Sequence, residues 1–180
     1  MTWTRTTRLA LAAVMSVGLA AVAIDSTLHA ATAAPSNGVT VQMRIAGIND
    51  GSPTTIQSFS LGATDTLSVS TGSGGGAGKI SFANLAVTKA LDADSVPLLQ
   101  AAATGQILKN VVIDVFTGHD TTPFATYTFE DVIVTSNVIG AANSSTSEQD
   151  AFDFRRITSD VSINGQTFHS CFDVKVGASC

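Results

Sequence analysis

The chain has few of the side chains on which most enzymes and glycan-binding proteins rely. Its 180 residues include two cysteines, one tryptophan, one tyrosine and three histidines, and only 13% of the residues are charged. With 9 basic and 14 acidic residues, the formal net charge is −5. An acidic surface with few lysines repels phosphate backbones and anionic lipids. The composition therefore argues against nucleic acid or an anionic membrane as the partner.

Residues 1–33 have the features of a secretory signal peptide. Arg5 and Arg8 precede an uninterrupted apolar run at 9–24, and the small-residue motif Ala31-Thr32-Ala33 follows it. The run is shorter than the roughly 20 residues that a membrane-spanning helix needs. We predict cleavage after Ala33 and a secreted or periplasmic protein, with an uncleaved membrane anchor as the alternative.

Residues 34–180 are predicted to form a single domain without a membrane segment. Removal of the leader takes away Arg5, Arg8 and Asp25, so that 7 basic and 13 acidic residues remain. A chain of this length buries one hydrophobic core. No second apolar run of membrane-spanning length follows the leader in the sequence.

The only cysteines, Cys171 and Cys180, lie close together at the end of the sequence. Export delivers them to an oxidising compartment, which predicts a disulfide that closes a short C-terminal loop. The alternative is a metal site that uses both cysteines and His169, but no fourth ligand lies nearby in the sequence. We therefore expect no metal and no cofactor.

Short alternating patterns predict β-strands through most of the domain. Apolar and polar side chains alternate over 39–45, and a further strand is predicted over 79–91. The alternation changes phase at Glu130-Asp131, which suggests a β-bulge. Asn164-Gly165 separates two alternating segments and is the preferred two-residue hairpin turn.

One helix is predicted after the first strands. Asp94 or Ser95 can cap its start, Pro97 suits its first turn, and Gly105 ends it. The helical period puts three apolar residues on one side, Val96, Leu99 and Ala103. Strands at short spacing together with one helix indicate a mainly β fold, a barrel or sandwich with a helix packed on its side.

Phosphate-binding and catalytic motifs are missing from the sequence. The glycine-rich segment 72–78 precedes Lys79, but the P-loop pattern fails at Ser73 and at Ile80. His119 lies in a turn-like segment without a nucleophile motif.

Paired carboxylates and basic clusters are equally weak. Glu130 and Asp131 are adjacent on a strand, so they point to opposite faces and do not converge on one bond. Arg155-Arg156 is too small a basic cluster for nucleic acid. The sequence therefore predicts no enzymatic activity.

The order of features between Ser70 and Phe116 resembles a known family. The features are the glycine run 74–78 followed by Lys79, a strand that ends in Thr88-Lys89, and a short helix closed by Gly105. Together with a weaker match at 127–136, they resemble the Hcp (haemolysin-coregulated protein) family, the tube proteins of type VI secretion systems. The resemblance covers most of residues 39–163.

The resemblance implies a small β-barrel of two packed sheets with one flanking α-helix. It also implies a non-catalytic structural protein whose main partner is itself, in hexameric rings that stack into a tube or carry passenger proteins. The glycine loop and its surroundings are then candidate subunit contacts, with mobile loops as the alternative. The candidate residues are Gly74, Gly75, Gly76, Gly78, Lys79 and Lys89.

Three features depart from the family pattern. The leader is unusual for a tube protein, Phe59-Ser60-Leu61 stands where relatives often have tryptophan, and the cysteine-bearing C-terminal hairpin extension at 166–180 has no recognised counterpart. The alternative functions are an extracellular binding module for glycans or cell wall on the same fold, and a secreted hydrolase. The scarcity of aromatic residues disfavours the first, and the missing nucleophile disfavours the second.

Overall fold

The computed structural model describes residues 38–50, 52–65, 80–142 and 145–180, which form a mainly β fold with one helix, as predicted. The leader, the glycine run at 72–78 and the stretch around Leu67 and Val69 lie outside the described residues. The described elements, in chain order, are β1 (Val39–Ile45), β2 (Thr54–Ile56), β3 (Ser58–Ser60), β4 (Ala63–Asp65), β5 (Ile80–Phe82), β6 (Leu85–Lys89), α1 (Ser95–Thr104), β7 (Ile107–Thr117), β8 (Ala125–Ala142), β9 (Ser145–Asp153), β10 (Arg156–Ile163), β11 (Gln166–Asp173) and β12 (Ala178–Ser179).

Ten strands form one antiparallel sheet that branches at β8, and β4 and β5 pair separately as a small second sheet. One branch runs β12-β11-β10-β8-β7-β1-β2, and the other runs β8-β9-β6-β3. The strand predicted over 79–91 is therefore two strands, because the chain leaves β5 at Phe82 and enters β6 at Leu85.

The large sheet is open rather than closed into a barrel. Strands β2 and β3 end the two branches, and no ladder joins them in the described part of the chain. They are instead consecutive in sequence across Gln57, whose backbone N–H donates to the Thr88 carbonyl at 2.8 Å. The chain, rather than strand pairing, thus brings the two branches together.

Strand β8 belongs to both branches of the sheet, because the side chains that it buries change from one face of the strand to the other along its length. Phe129 and Val132 are both buried, and Asp131 between them has a φ of 51°, a left-handed conformation that non-glycine residues rarely adopt. The phase change at Glu130-Asp131 was predicted from the sequence. The register slip between β8 and β9 lies a few residues later, between Val134 and Ser136.

The core lies between the two branches of the sheet and is filled by aliphatic and aromatic side chains. The Phe129 and Phe154 ring centroids are 4.9 Å apart, and Phe82 of the small sheet packs against both Phe154 and Phe172. Buried core residues include Met43, Ile45, Leu85, Leu98, Leu108, Val111, Ile113, Phe129, Val132 and Phe152.

Helix α1 begins and ends where the sequence predicts, and it turns its Leu98 side to the core. Gly105 follows its last residue with a φ of 66°, the left-handed conformation that glycine adopts without strain. Its buried residues are Ser95, Leu98 and Ala101. Val96, Leu99 and Ala103, which the helical period puts on one side, are exposed, because the helix packs its Leu98 side against the sheet.

The C-terminal hairpin has the predicted turn and disulfide. Asn164 and Gly165 both have positive φ, at 53° and 78°, as the tightest β-hairpin turn requires. A disulfide joins Cys171 to Cys180, and it holds the end of the chain beside β11.

Candidate functional site

The predicted subunit-contact residues fall into two groups. Gly74, Gly75, Gly76, Gly78 and Lys79 lie outside the described residues. Lys89 lies at the end of β6, and none of its side chain is exposed. Within one subunit Lys89 is therefore part of the interior, where it binds acidic side chains rather than a neighbouring surface.

The Lys89 amine is held by a buried set of oxygen atoms. It donates to Asp92 at 2.5 Å and to Ser95 at 3.2 Å, and it lies 2.8 Å from Glu148. Burial lowers the pKa of Lys89, but hydrogen bonds to Asp92 and Glu148 and their negative charges outweigh it, so the pKa is raised above its usual value of 10.5. The amine stays protonated and joins β6, β9 and the start of α1.

Two acidic residues of β9 complete this buried network, Glu148 and Asp150. Glu148 has no exposed surface and accepts hydrogen bonds from Ser95 and from the Asn137 amide, the latter at 2.6 Å. Asn137 also donates to Asp150 at 2.6 Å. Burial raises the pKa of Asp150 to about 6, because only the Asn137 hydrogen bond and the Lys89 charge oppose it.

A second buried cluster fastens the loop after β1 to the start of the helix. The Asn49 side chain accepts from the Ile45 N–H at 2.5 Å and donates to Asp94 at 2.7 Å. Thr54 also donates to Asp94. Asp94 makes no side-chain cap on α1, so its role differs from the cap that the sequence suggested. The first cluster thus holds β6 and β9 to the start of α1, and the second holds the loop after β1 to the same point.

The outer face of β3, β6, β9 and the second half of β8 carries uncharged side chains, most of which are Ser, Ala or Thr. Strand pairing aligns them in two rows of four. We call them the small-residue face: Ser60, Ala86, Ala151 and Ser136 in one row, and Ser58, Thr88, Gln149 and Val138 in the other. All eight are exposed or half-buried, and Val138 is 58% exposed.

The outward side of α1 is a second uncharged surface. Val96 and Leu99 are 73% and 48% exposed, and Ala103 one turn further along is exposed as well. We call these three residues the apolar helix stripe. Contiguous apolar surface of this kind marks sites where proteins contact one another. The helical period predicted that these three residues share one side of the helix.

The side chains considered for chemistry stay apart from one another. Glu130 pairs with Arg156 at 2.9 Å and Asp131 with Arg155 at 3.4 Å, so the two carboxylates do not converge on a common point. His169 lies 2.7 Å from Asp160 on the exposed face of the C-terminal hairpin.

The structure offers no metal site at the cysteines. The disulfide uses both sulfur atoms, which rules out the alternative site formed with His169. In the described ranges, no three histidine, cysteine, aspartate or glutamate side chains are placed to share a metal ion. The same ranges hold no helix that is long and apolar enough to span a membrane.

Comparison with known proteins points to one family. A family model described as "Type VI secretion system effector, Hcp" matches residues 49–161, more than half of the chain. A comparison with curated protein sequences gives no match.

Solved structures show the same fold. Hcp1 from Salmonella typhimurium is 18% identical, with a TM-score of 0.68, over 79% of this chain and 99% of that chain. A structure described as a type six secretion system protein is 21% identical, also with a TM-score of 0.68, over 78% and 99%. A type VI secretion system effector from Yersinia pestis is 19% identical with a TM-score of 0.60, over 74% of this chain and 99% of that one.

Proposed function

Because the chain belongs to the Hcp family of type VI secretion system effectors, we propose that it is an exported structural subunit that assembles with its own copies into hexameric rings. The rings would serve as a component of a secretion tube or as a carrier of passenger proteins. The proposal assigns the chain no enzymatic activity and no cofactor. Its function would then lie in its surfaces rather than in a cleft.

The observation that carries this proposal is the small-residue face. Burying a charged side chain at an interface is costly, so the centres of protein interfaces are depleted of charge. The eight positions of the small-residue face include no charged residue, although the chain as a whole has a net charge of −5. Small side chains on a regular sheet also allow a flat partner to approach closely.

The apolar helix stripe supports a second contact. A ring requires two different surfaces on each subunit, because a head-to-tail interface joins unlike patches around a closed circle. The small-residue face and the apolar helix stripe belong to different elements, the sheet and α1. We propose that each copy contributes one of them to each of its two neighbours.

The glycine run and Lys79 remain proposed contacts of the assembled ring. They connect β4 to β5, and Phe82 of β5 packs on Phe154 and Phe172 of the large sheet. Lys89 is not included among the proposed contacts, since its side chain is wholly buried. Its contribution would be to fix β6, which carries Ala86 and Thr88 of the small-residue face.

The proposal also includes export through the leader at residues 1–33. Cleavage after Ala33 would release a chain that begins at Ala34. An oxidising destination agrees with the Cys171–Cys180 disulfide, because such bonds persist mainly outside the cytosol.

Native mass determination of the exported protein tests both parts of the proposal. We expect the denatured mass of a chain that begins at Ala34, and a native mass six times larger. A strictly monomeric protein at high concentration contradicts the ring. A mass that includes residues 1–33 contradicts cleavage and supports the retained anchor.

A further inference from the structure

Asn137 of β8 and Asp150 of β9 face each other across the ladder, and each keeps one buried atom without a partner. The Asn137 amide N–H donates to Oδ1 of Asp150 at 2.6 Å. The Oδ1 atom of Asn137 and the Oδ2 atom of Asp150 are buried and have no hydrogen-bond partner. Buried polar atoms without partners are rare and costly.

A single proton would satisfy both of these atoms. While Asp150 is ionised, both oxygens are acceptors and repel each other. A proton on Oδ2 of Asp150 would turn that atom into a donor for Oδ1 of Asn137, the other atom of the pair without a partner. The carboxyl and the amide would then be joined by two hydrogen bonds instead of one.

The surrounding charges direct the proton to Asp150. The groups that face it are Glu148 on its own strand, Lys89 on β6 and Asp92 after β6, while β8 contributes the neutral Asn137. Three carboxylates therefore share one lysine. Glu148 is bonded to Lys89, Ser95 and Asn137, whereas Asp150 has the Asn137 amide alone.

We propose that Asn137 and Asp150 form a proton-dependent clamp that holds β8 to β9 more tightly in weak acid than at neutral pH. We call this pair the acid–amide clamp. It goes beyond the proposed function, since it is a property of the single subunit and does not depend on ring formation.

The position of the clamp gives it a mechanical role. Strand β6 pairs with β9 from Glu148 to Phe152, whereas the β8–β9 ladder continues to Ala142 and Ser145. Asp150 and Asn137 thus lie two residues inside the point, at Glu148, where this two-stranded ribbon leaves the sheet. Closing the clamp would stiffen the base of the ribbon.

The titration of Asp150 agrees with this geometry. Burial raises its pKa to about 6, above its ordinary value of 3.8. The pKa of Asp150 is higher in the folded state than in the unfolded state, so protonation of this carboxyl stabilises the fold. This stabilisation is complete below the unfolded-state pKa and is lost as the pH rises through about 6.

The variant Asp150→Asn tests the clamp, because its amide can donate to Asn137 without a proton. We expect it to melt at a higher temperature than the wild type at about pH 7.5, and at nearly the same temperature at about pH 4.5. The matched control is Asp153→Asn, an exposed carboxylate on the same strand, for which the difference from wild type should not change with pH. The proteins are compared at concentrations where their native masses agree.

A second measurement follows the wild-type carboxyl directly. The carboxyl carbon of Asp150, observed by NMR, should titrate near pH 6. Titration near the ordinary value of 3.8, or an Asp150→Asn difference that is the same at both pH values, overturns the proposal. Either result leaves the ring proposal untouched.

Discussion

The Nζ atom of Lys89 lies 2.8 Å from Oε2 of Glu148, and neither side chain has any exposed surface. An ion pair in this environment depends on both partners, because a single charge left inside the protein has no water to solvate it. Ser95 binds both members of the pair, so the network joins two strands and the first turn of the helix.

Replacement of one partner of this pair should destabilise the subunit strongly. We expect Lys89→Met or Glu148→Gln to lower the free energy of unfolding by about 3–5 kcal/mol, measured by urea denaturation near neutral pH. The double variant Lys89→Met/Glu148→Gln should lose less than the sum of the two, because it leaves no unpaired charge between them.

The exposed pair formed by Asp131 and Arg155 is the matched control for the buried pair. Asp131→Asn keeps a residue that tolerates the left-handed backbone and should change stability by less than about 1 kcal/mol. A loss of similar size in Lys89→Met would show that the buried pair contributes no more than a surface one.

If the proposed ring forms, a charge in the middle of the small-residue face should break it without unfolding the single chain. Ala86→Glu places a carboxylate between Ser60 and Ala151, where the small neighbours leave it room in the free subunit. Leu99→Glu does the same on the apolar helix stripe. We expect a lower native mass for both, with an unchanged circular dichroism spectrum.

Gln166→Glu is the control for the two assembly variants, because it adds the same charge at an exposed position on the C-terminal hairpin. It should assemble like the wild type. If Ala86→Glu and Leu99→Glu also keep the wild-type mass, these two surfaces are not the contacts of the ring.

Reduction of the disulfide should loosen the end of the chain. The bond spans 9 residues, a loop for which restriction of the unfolded chain contributes roughly 2–3 kcal/mol. We expect Cys171→Ser/Cys180→Ser to lose about that much stability and to expose the β12 amides to hydrogen exchange. Reductant should lower the melting temperature of the wild type but not that of the double variant. Equal melting temperatures of the two proteins in oxidising buffer would refute a stabilising role of the disulfide.

Asp173 should make the folded protein less stable in acid, whereas Asp150 should make it more stable there. The Val176 N–H donates to it at 3.0 Å and, with the nearby Arg155, outweighs burial and lowers the pKa of the carboxyl. The stabilisation is therefore present above the unfolded-state pKa and is lost as the pH falls through the lower folded-state pKa.

We expect Asp173→Asn to melt below the wild type at neutral pH, and the difference to disappear in strong acid. Thermal unfolding over a series of pH values measures this. Asp120→Asn, an exposed turn carboxylate, serves as the control and should follow the wild type throughout. A deficit of Asp173→Asn that persists unchanged into strong acid would point to lost packing rather than lost charge.

Local features of the fold were predictable from the residues alone. The alternation over Val39–Ile45, the end of the helix at Gly105 and the Asn164-Gly165 turn each depend on backbone preferences within a few residues. The phase change at Glu130-Asp131 was visible for the same reason, since a strand that exchanges its faces must break its period. The family was also recognisable from the order of such local features.

Long-range features were not predictable in this way. A helix with apolar residues on more than one side gives no sign of which side meets the sheet, so Leu98 and Ala101 rather than Val96 and Leu99 became the buried pair. The sheet is open because no hydrogen-bonded ladder joins β2 to β3. No single segment of the sequence specifies whether such a ladder forms. The apolar helix stripe became recognisable as a surface only once the packing was known.

The sequence by itself therefore determined the β-rich class, the ends of the helix, the hairpin turn and the family, because each of these is encoded by neighbouring residues. Only the tertiary structure decided that Lys89 is an interior cation and that Asp150 shares a buried pair with Asn137. The physical reason is that burial and charge pairing are properties of residues from distant segments, and these come together only when the strands have paired.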